Sequence, residues 1–339
     1  MKRWFLWMLL LLSFSFAVCG QNKIRIVEYN VENYFDCTDD TLTNDDDFTP
    51  KGNRAWTPQR YIKKQMAIAK VIAALSEWQT PALIGLLEVE NKKCLDDLLI
   101  YGPLKSFDYK YIHFDSPDRR GIDVALVYDE RQFKPMKAEP LKVTMDNEPD
   151  FTTRDILYVK GVVGRKDTLH VYLCHFPSRW GGAGVSEPKR ICAAQTLKQH
   201  YDSLCMAHKR PLVLIMGDFN DTPQNRSIYH ILGAQPPQAA VFPNHLYNLM
   251  WQVYEKGDGT HKYQGEWSCL DQFIVSGAMI DPQSALTTSV DKITIFQPSF
   301  MLLEDVRYGG VQPFRTYRGW KYEGGYSDHL PVLIDLTIQ

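Results

Sequence analysis

Six apolar runs in this chain each meet, at one end, a side chain that can hold a proton, a cation or a phosphate. "VEYN" closes at Asn30 and "LIGLLE" at Glu88. "VYLCH" closes at His175, and "LVLIMGD" at Asp218, with Asn220 two residues on. "SCLD" sets Asp271 beside a strand, and "YSDH" sets Asp328 and His329 at the mouth of the last one. Strand interiors bury apolar side chains, and polar groups regain water at strand ends. Strands that deliver carboxylates, amides and imidazoles at their ends build a polar rim, where α/β proteins place their reactive centres. A lone Asp-His pair is an ordinary loop feature. Six such placements in one chain are hard to explain by packing.

The segments around these runs set the fold class. "KIRIVEYNVENYF", "PALIGLLEVE", "YKYIHF", "IDVALVYD", "ILYVKGVV", "TLHVYLCHF", "PLVLIMGDFN", "SCLDQFIVS", "KITIF" and "LPVLIDLTI" read as strands. "TPQRYIKKQMAIAKVIAAL" reads as a helix capped by Thr57 with Pro58 in its first turn. Ile62, Met66, Ala69, Ile72 and Ala73 are expected on its buried face. A short helix is expected near "KKCLDDLLI" and a long one from Glu187 to His208. Strands outnumber helices, so an α/β architecture with a large mixed sheet system is expected. There is no repeat and no low-complexity linker. Residues 21–339 are expected to form one domain.

The N-terminus, "MKRWFLWMLLLLSFSFAVCGQN", has Lys2 and Arg3 before an apolar run and then small residues. That pattern is a secretory signal peptide over residues 1–20, cleaved between Cys19 and Gln21. Export to the periplasm or medium is expected, with a lipid anchor on Cys19 as the minor alternative and no transmembrane span after cleavage. Without Lys2 and Arg3, 36 basic residues face 40 acidic ones, a net charge near −4. A global basic field for polyanions is therefore absent, and any such site is local or metal-assisted. Cys37, Cys94, Cys174, Cys192, Cys205 and Cys269 show no metal-binding spacing and are assigned no bridge. The acidic loop "DCTDDTLTNDDDFTPKGN" lacks the spacing of a calcium loop and reads as solvated.

The polar inventory selects a chemistry. Glu88 and Asp218, with the amides of Asn30 and Asn220, are hard oxygen donors suited to Mg2+, with Mn2+ or Ca2+ as substitutes, rather than to zinc. His175 and His329 remain for acid-base work. Neither a Gly-x-Ser-x-Gly elbow nor a Gly-x-x-x-x-Gly-Lys loop is present. Metal-assisted attack of water on a phosphate ester fits this set.

In order along the chain, "YNVEN", "LLEVEN", "IDVALVY", "LCHFPSR", "MGDFND", "SCLDQFIVS" and "YSDHLPV" resemble the motifs of the endonuclease/exonuclease/phosphatase superfamily. The resemblance spans about residues 24 to 339. It implies a four-layer α/β sandwich: two mixed sheets face to face, helices outside, and one metal-dependent site. Glu88 matches the family's metal-binding glutamate, Asn30 lies by metal and phosphate, and Asp328 helps hold metal. His329 matches the histidine paired with an aspartate, here Asp271. Asp218 and Asn220 match the pair that positions water and phosphate, and His175 lies near the leaving group or phosphate. The base is His329 or Asp218. Arg154 sits where DNase-like members contact phosphate, and Arg120 and Arg179 are further cations near the substrate. "YNVENYFD" looks closer to bacterial exported nuclease-like members, so an exported metal-dependent nuclease is expected. A phosphatase or phospholipid diesterase of the same fold is the alternative, and a non-catalytic binding protein a remote one. Nucleic acid or another phosphoester is the expected partner, and no obligate protein partner is evident.

Overall fold

The computed structural model describes residues 23–77, 79–164, 167–237 and 240–339. The expected signal peptide, 1–20, lies outside them. Among the described residues, no helix is long and apolar enough to cross a membrane.

In chain order the elements are β1 (Lys23–Tyr34), α1 (Pro58–Leu75), β2 (Leu83–Val89), α2 (Lys92–Leu99), β3 (Lys110–His113), β4 (Asp123–Tyr128), β5 (Phe133–Leu141), β6 (Ile156–Val163) and β7 (Asp167–His175). Then come α3 (Ala183–Ala207), β8 (Leu212–Asp218), β9 (Ala234–Gln235), β10 (Leu246–Asn248), α4 (Trp251–Glu255), the hairpin β11 (His261–Tyr263) and β12 (Glu266–Ser268), and β13 (Asp271–Ser276). The rest are β14 (Leu286–Thr287), β15 (Ile293–Ile295), the hairpins β16 (Leu302–Glu304) with β17 (Val311–Pro313) and β18 (Tyr317–Arg318) with β19 (Lys321–Tyr322), and β20 (Val332–Ile338).

One sheet runs β14-β20-β1-β2-β4-β3, with β15 also on β20; the other runs β5-β6-β7-β8-β13-β10-β9. Both are mixed: β1–β2 and β7–β8 are parallel, while β1–β20 and β8–β13 are antiparallel. Alternation along each strand sorts its side chains. Ile24, Ile26, Leu83, Leu173, Leu214, Met216, Phe273 and Ile334 meet in the core between the sheets. Val27, Tyr29, Ile84 and Leu86 face α1 and α2. Tyr172, Val213 and Ile215 face α3. The fold is therefore the expected four-layer α/β sandwich.

Three local expectations need correction. On α1, Ile62, Met66 and Ala73 point to solvent, and Tyr61, Lys64, Gln65, Ile68 and Val71 are buried alongside Ala69 and Ile72. Tyr61, Ile68, Val71, Ile72 and Leu75 form the apolar stripe that packs on β1 and β2, and Lys64 within it is satisfied by Thr316 Oγ1 (2.6 Å) and the Tyr326 carbonyl (2.7 Å). The long helix starts at Ala183, four residues early, and carries Pro188 in its second turn. The edge strand β5 was not legible, because Pro135 and Pro140 interrupt it; an edge tolerates the missing N–H groups. In the acidic loop, Asp36 and Asp45 are buried rather than solvated and accept backbone N–H groups from Thr38 and Asp40. All six cysteines among the described residues are free.

Candidate active site

The two sheets bring their polar ends together at one edge. On β7, Leu169, Val171 and Leu173 face the inter-sheet core, and His175 continues that face. On β8, Leu214 and Met216 do the same, ending in Asp218. On β13, Asp271 is the first residue and lies directly across from Asp218 in the ladder. The β7–β8 pairing sets His175 beside Asp218. Gly217 makes this possible: a Cβ there would lie 1.9 Å from the Cys174 carbonyl, and its φ is +143°.

Asp218 is the hub. Its Oδ2 accepts hydrogen bonds from Asn30 Nδ2 and Asn220 Nδ2, both at 3.3 Å, and its Oδ1 from the Asn220 N–H at 2.8 Å. Asn220 is left-handed (φ 50°), which lets its amide also reach the Phe176 carbonyl at 3.0 Å. His175 Nε2 is 3.7 Å from Asp218 Oδ2 and 3.9 Å from Glu88 Oε1.

Glu88 reaches this place by breaking the strand rule. Leu87 faces the inter-sheet core, and Val89, two residues on, faces the opposite layer. Glu88 between them is left-handed (φ 63°), and the pairing of β2 with β4 slips there. Its Oε2 accepts from the Asn33 N–H at 2.8 Å, and Asn33 is itself left-handed. Strained backbone of this kind collects at functional sites.

His329 Nδ1 lies 2.7 Å from Asp271 Oδ2, and its Nε2 3.9 Å from Asp218 Oδ2. Asp271 also accepts from the Thr260 hydroxyl. Ser327 Oγ donates to the Asn30 carbonyl (2.6 Å) and accepts from the His329 N–H (3.1 Å), locking the last loop to β1. Burial works against the His329 charge, but Asp271 and Asp218 outweigh it and hold the imidazole well above its ordinary 6.5. Burial, opposed by His329 and reinforced by Asp271 and Glu88, pushes Asp218 up from 3.8 to about 7. Burial, with Arg154 and Arg120 nearby, pushes His175 well below 6.5, so that ring is neutral.

The remaining expected residues have the following places. Arg154 is buried rather than a surface cation, with Nη1 2.8 Å from Asp118 Oδ2 and Nη2 donating to the Phe176 carbonyl at 2.7 Å. Arg120 is half-exposed and leans on the same Asp118 at 3.7 Å. Arg179 binds the Asn220 carbonyl (2.7 Å) and Asn225 Oδ1 (3.1 Å), so its guanidinium braces the Asn220 turn. Asp328 pairs with Arg315 at 3.4 Å. It shares a set of donor atoms within 4.8 Å with His261 and His329.

Three neighbours carried no legible signal. His261 stacks on His329 with ring centroids 4.8 Å apart, and burial with the nearby His329 pushes it down to about 4. Lys64 lies close enough to Glu32, Asp328 and Glu88 for their charges to act on it. Glu28 shares the inner face of β1 with Asn30, and neither of its oxygens has a hydrogen-bond partner among the described residues. Burial, then Asp271 and Asp218, raise it well above 4.5.

The residues fit a divalent cation. Glu88 Oε1 and Asp218 Oδ2 flank one nitrogen of a neutral imidazole, and Asp271 lies across the ladder from Asp218, so three carboxylates gather at one place. Buried carboxylates at this density need a compensating cation, and oxygen donors suit a hard one.

Rim, hub and hard-donor set define a metal-dependent phosphoric ester hydrolase. A family model described as Endonuclease/Exonuclease/phosphatase family matches residues 25–338. The chain belongs to that family. Solved structures with the same fold include a D. rerio TDP2 humanized by 14 mutations, at 14% identity and a TM-score of 0.56, covering 93% of this chain and 99% of that one. The human nocturnin catalytic domain with bound sulfate is 15% identical at TM-score 0.56, covering 94% and 95%. A Bacteroides thetaiotaomicron endonuclease/exonuclease/phosphatase family protein is 16% identical at TM-score 0.56, covering 94% and 98%. No curated protein matches the chain by sequence.

Proposed function

We propose that this chain is an exported, Mg2+-dependent phosphodiesterase that hydrolyses nucleic-acid phosphodiester bonds. The observation that carries the reading is the convergence on Asp218: two amides, a neutral imidazole and an aspartate-held imidazolium surround one carboxylate. A fold relative, D. rerio TDP2, is known in complex with a single-strand DNA product. Export rests on the apolar N-terminal run of residues 1–20, and residues 21–339 are taken as the mature domain.

Glu88, with Asn30 beside it and Asp328 nearby, would hold the cation. When bound, it neutralises phosphate charge and polarises a phosphate oxygen. Asn30 and Asn220 orient the phosphate and the water. Asp218 takes the proton of the attacking water, because its raised affinity for protons makes it a usable base near neutral pH. His329 is already protonated, so it stabilises charge developing on the phosphate and does not act as base. Asp271 keeps that proton in place. His175, neutral, faces the leaving group as a hydrogen-bonding partner.

The test is nicking of supercoiled plasmid by the mature protein with Mg2+ and with EDTA, beside His329→Ala. Metal-dependent nicking lost in the variant supports the reading. A folded protein that leaves plasmid and single strands intact but turns over phosphomonoesters or sphingomyelin overturns the nuclease assignment.

A further inference from the structure

A cavity of about 320 Å³ opens beside the reactive centre, and Lys262, Tyr263, Arg307, Tyr308, Arg315 and Arg318 line it. The hairpins β11–β12, β16–β17 and β18–β19 and the connection between β17 and β18 supply these residues. Two links make it continuous with the site. Arg315 Nη2 lies 3.4 Å from Asp328 Oδ2, next to His329. The strand β11 that carries Lys262 and Tyr263 begins at His261, whose backbone bridges His329 and whose ring stacks on it.

The charge balance inside the cavity is positive. Lys262 is paired with Asp305 at 2.9 Å, and Arg315 shares Asp328. Arg307 and Arg318 are exposed, and their guanidinium groups make no hydrogen bond or ion pair among the described residues. Arg307 instead lies 5.1 Å from the centre of the Tyr308 ring. Tyr263 and Tyr308 are large aromatic side chains left 65% and 47% exposed. A chain of formal net charge −2 thus gathers unpaired cations and exposed aromatic side chains at one place, beside its reactive centre. Cations tracking a backbone with aromatic rings between them are how proteins hold single-stranded nucleic acid.

We propose that this cavity seats the nucleotides next to the scissile phosphate on a single strand. Arg307, Arg315 and Arg318 contact the flanking phosphates, and Tyr263 and Tyr308 stack on bases. A phosphomonoester or a lipid head group, with one phosphate, leaves the cavity empty. The inference deepens the nucleic-acid reading above and rests on it.

The experiment is fluorescence anisotropy of labelled oligothymidylates, a dinucleotide and a decanucleotide, with the full chain in EDTA over a salt series. Arg307→Ala/Arg318→Ala and the charge-preserving Arg307→Lys/Arg318→Lys run in parallel, each matched to the parent in melting midpoint. The expected result is tighter binding of the decamer than of the dimer. The alanine pair should lower the slope of log K against log salt by about 1.4, since each single-strand phosphate contact contributes about 0.7. The lysine pair should restore most of that slope. Equal decamer affinity and slope in parent and alanine pair overturn the inference, as does a decamer that binds no better than the dimer. Arginine-dependent binding without any cleavage in Mg2+ keeps the cavity and sinks the hydrolytic reading. Cleavage with a KM unmoved in the alanine pair does the reverse.

Discussion

Replacing Asp271 by Asn tests how the charge of His329 is held. The aspartate is fully buried, and its Oδ2 is 2.7 Å from His329 Nδ1. Asn has the same shape and can still accept from the Thr260 hydroxyl, but it cannot neutralise an imidazolium. A hydrogen bond to a charged partner is worth about 1.5–3 kcal/mol net. At about 1.36 kcal/mol per tenfold, Asp271→Asn should lower kcat/KM by roughly 10- to 150-fold near neutral pH. The sign in pH follows from the same contact. His329 works as the cation, and its proton affinity is raised in the parent. Activity is therefore kept below the raised value and lost as pH rises through it. In the variant that value drops, so the basic limb of the pH–rate profile should move to lower pH. The assay is kcat/KM on a single-stranded substrate across pH, with the imidazole resonances of His329 followed by NMR in parallel. Asp271→Asn/His329→Ala should be no worse than His329→Ala alone, because the two side chains act as a unit. A variant with parental rate and an unmoved basic limb would refute the reasoning.

Glu88→Gln keeps the acceptor for the Asn33 N–H but removes the charge, so the Mg2+ concentration for half-maximal activity should rise; an unchanged metal titration counts against Glu88 as a ligand. Glu28→Gln should leave stability nearly unchanged at acid pH and make the protein increasingly more stable than the parent as pH rises. The raised folded-state value means Glu28 contributes stability below its ordinary 4.5 that is lost as pH climbs toward the raised value, while Gln has no proton to lose. Parallel melting curves for the two proteins across pH would sink that account. Arg154→Ala removes the buried partner of Asp118 and leaves it Arg120 at 3.7 Å, so it should cost about 1.5–3 kcal/mol in denaturant unfolding, the value of a charged hydrogen bond; a loss under about 1 kcal/mol, the value of an exposed pair, would mean the pair is solvated.

The sequence by itself determined the layers and most of the rim. Alternation is a local property of a strand, so the inner faces of β1, β7, β8 and β20 could be read directly, and His175 and Asp218 followed as the last inward positions of theirs. Helix α1 was legible in extent and cap, Thr57 accepting from the Arg60 N–H, but not in face. Its buried face includes Lys64, whose partners at Thr316 and Tyr326 lie some 250 residues away in sequence. Alternation would also have sent Glu88 outward; only the left-handed turn of one residue, fixed by the Asn33 N–H on a neighbouring strand, points it into the site. Arg154 and Arg179 read as available cations until Asp118 and the Asn220 carbonyl took their guanidinium groups. His261, Glu28 and the cationic cavity had no motif at all. Residue types and periodicity travel with the chain. Burial, proton affinity and ion pairing depend on which distant groups share a few ångströms of low-dielectric space, and that is decided only when the two sheets close on each other.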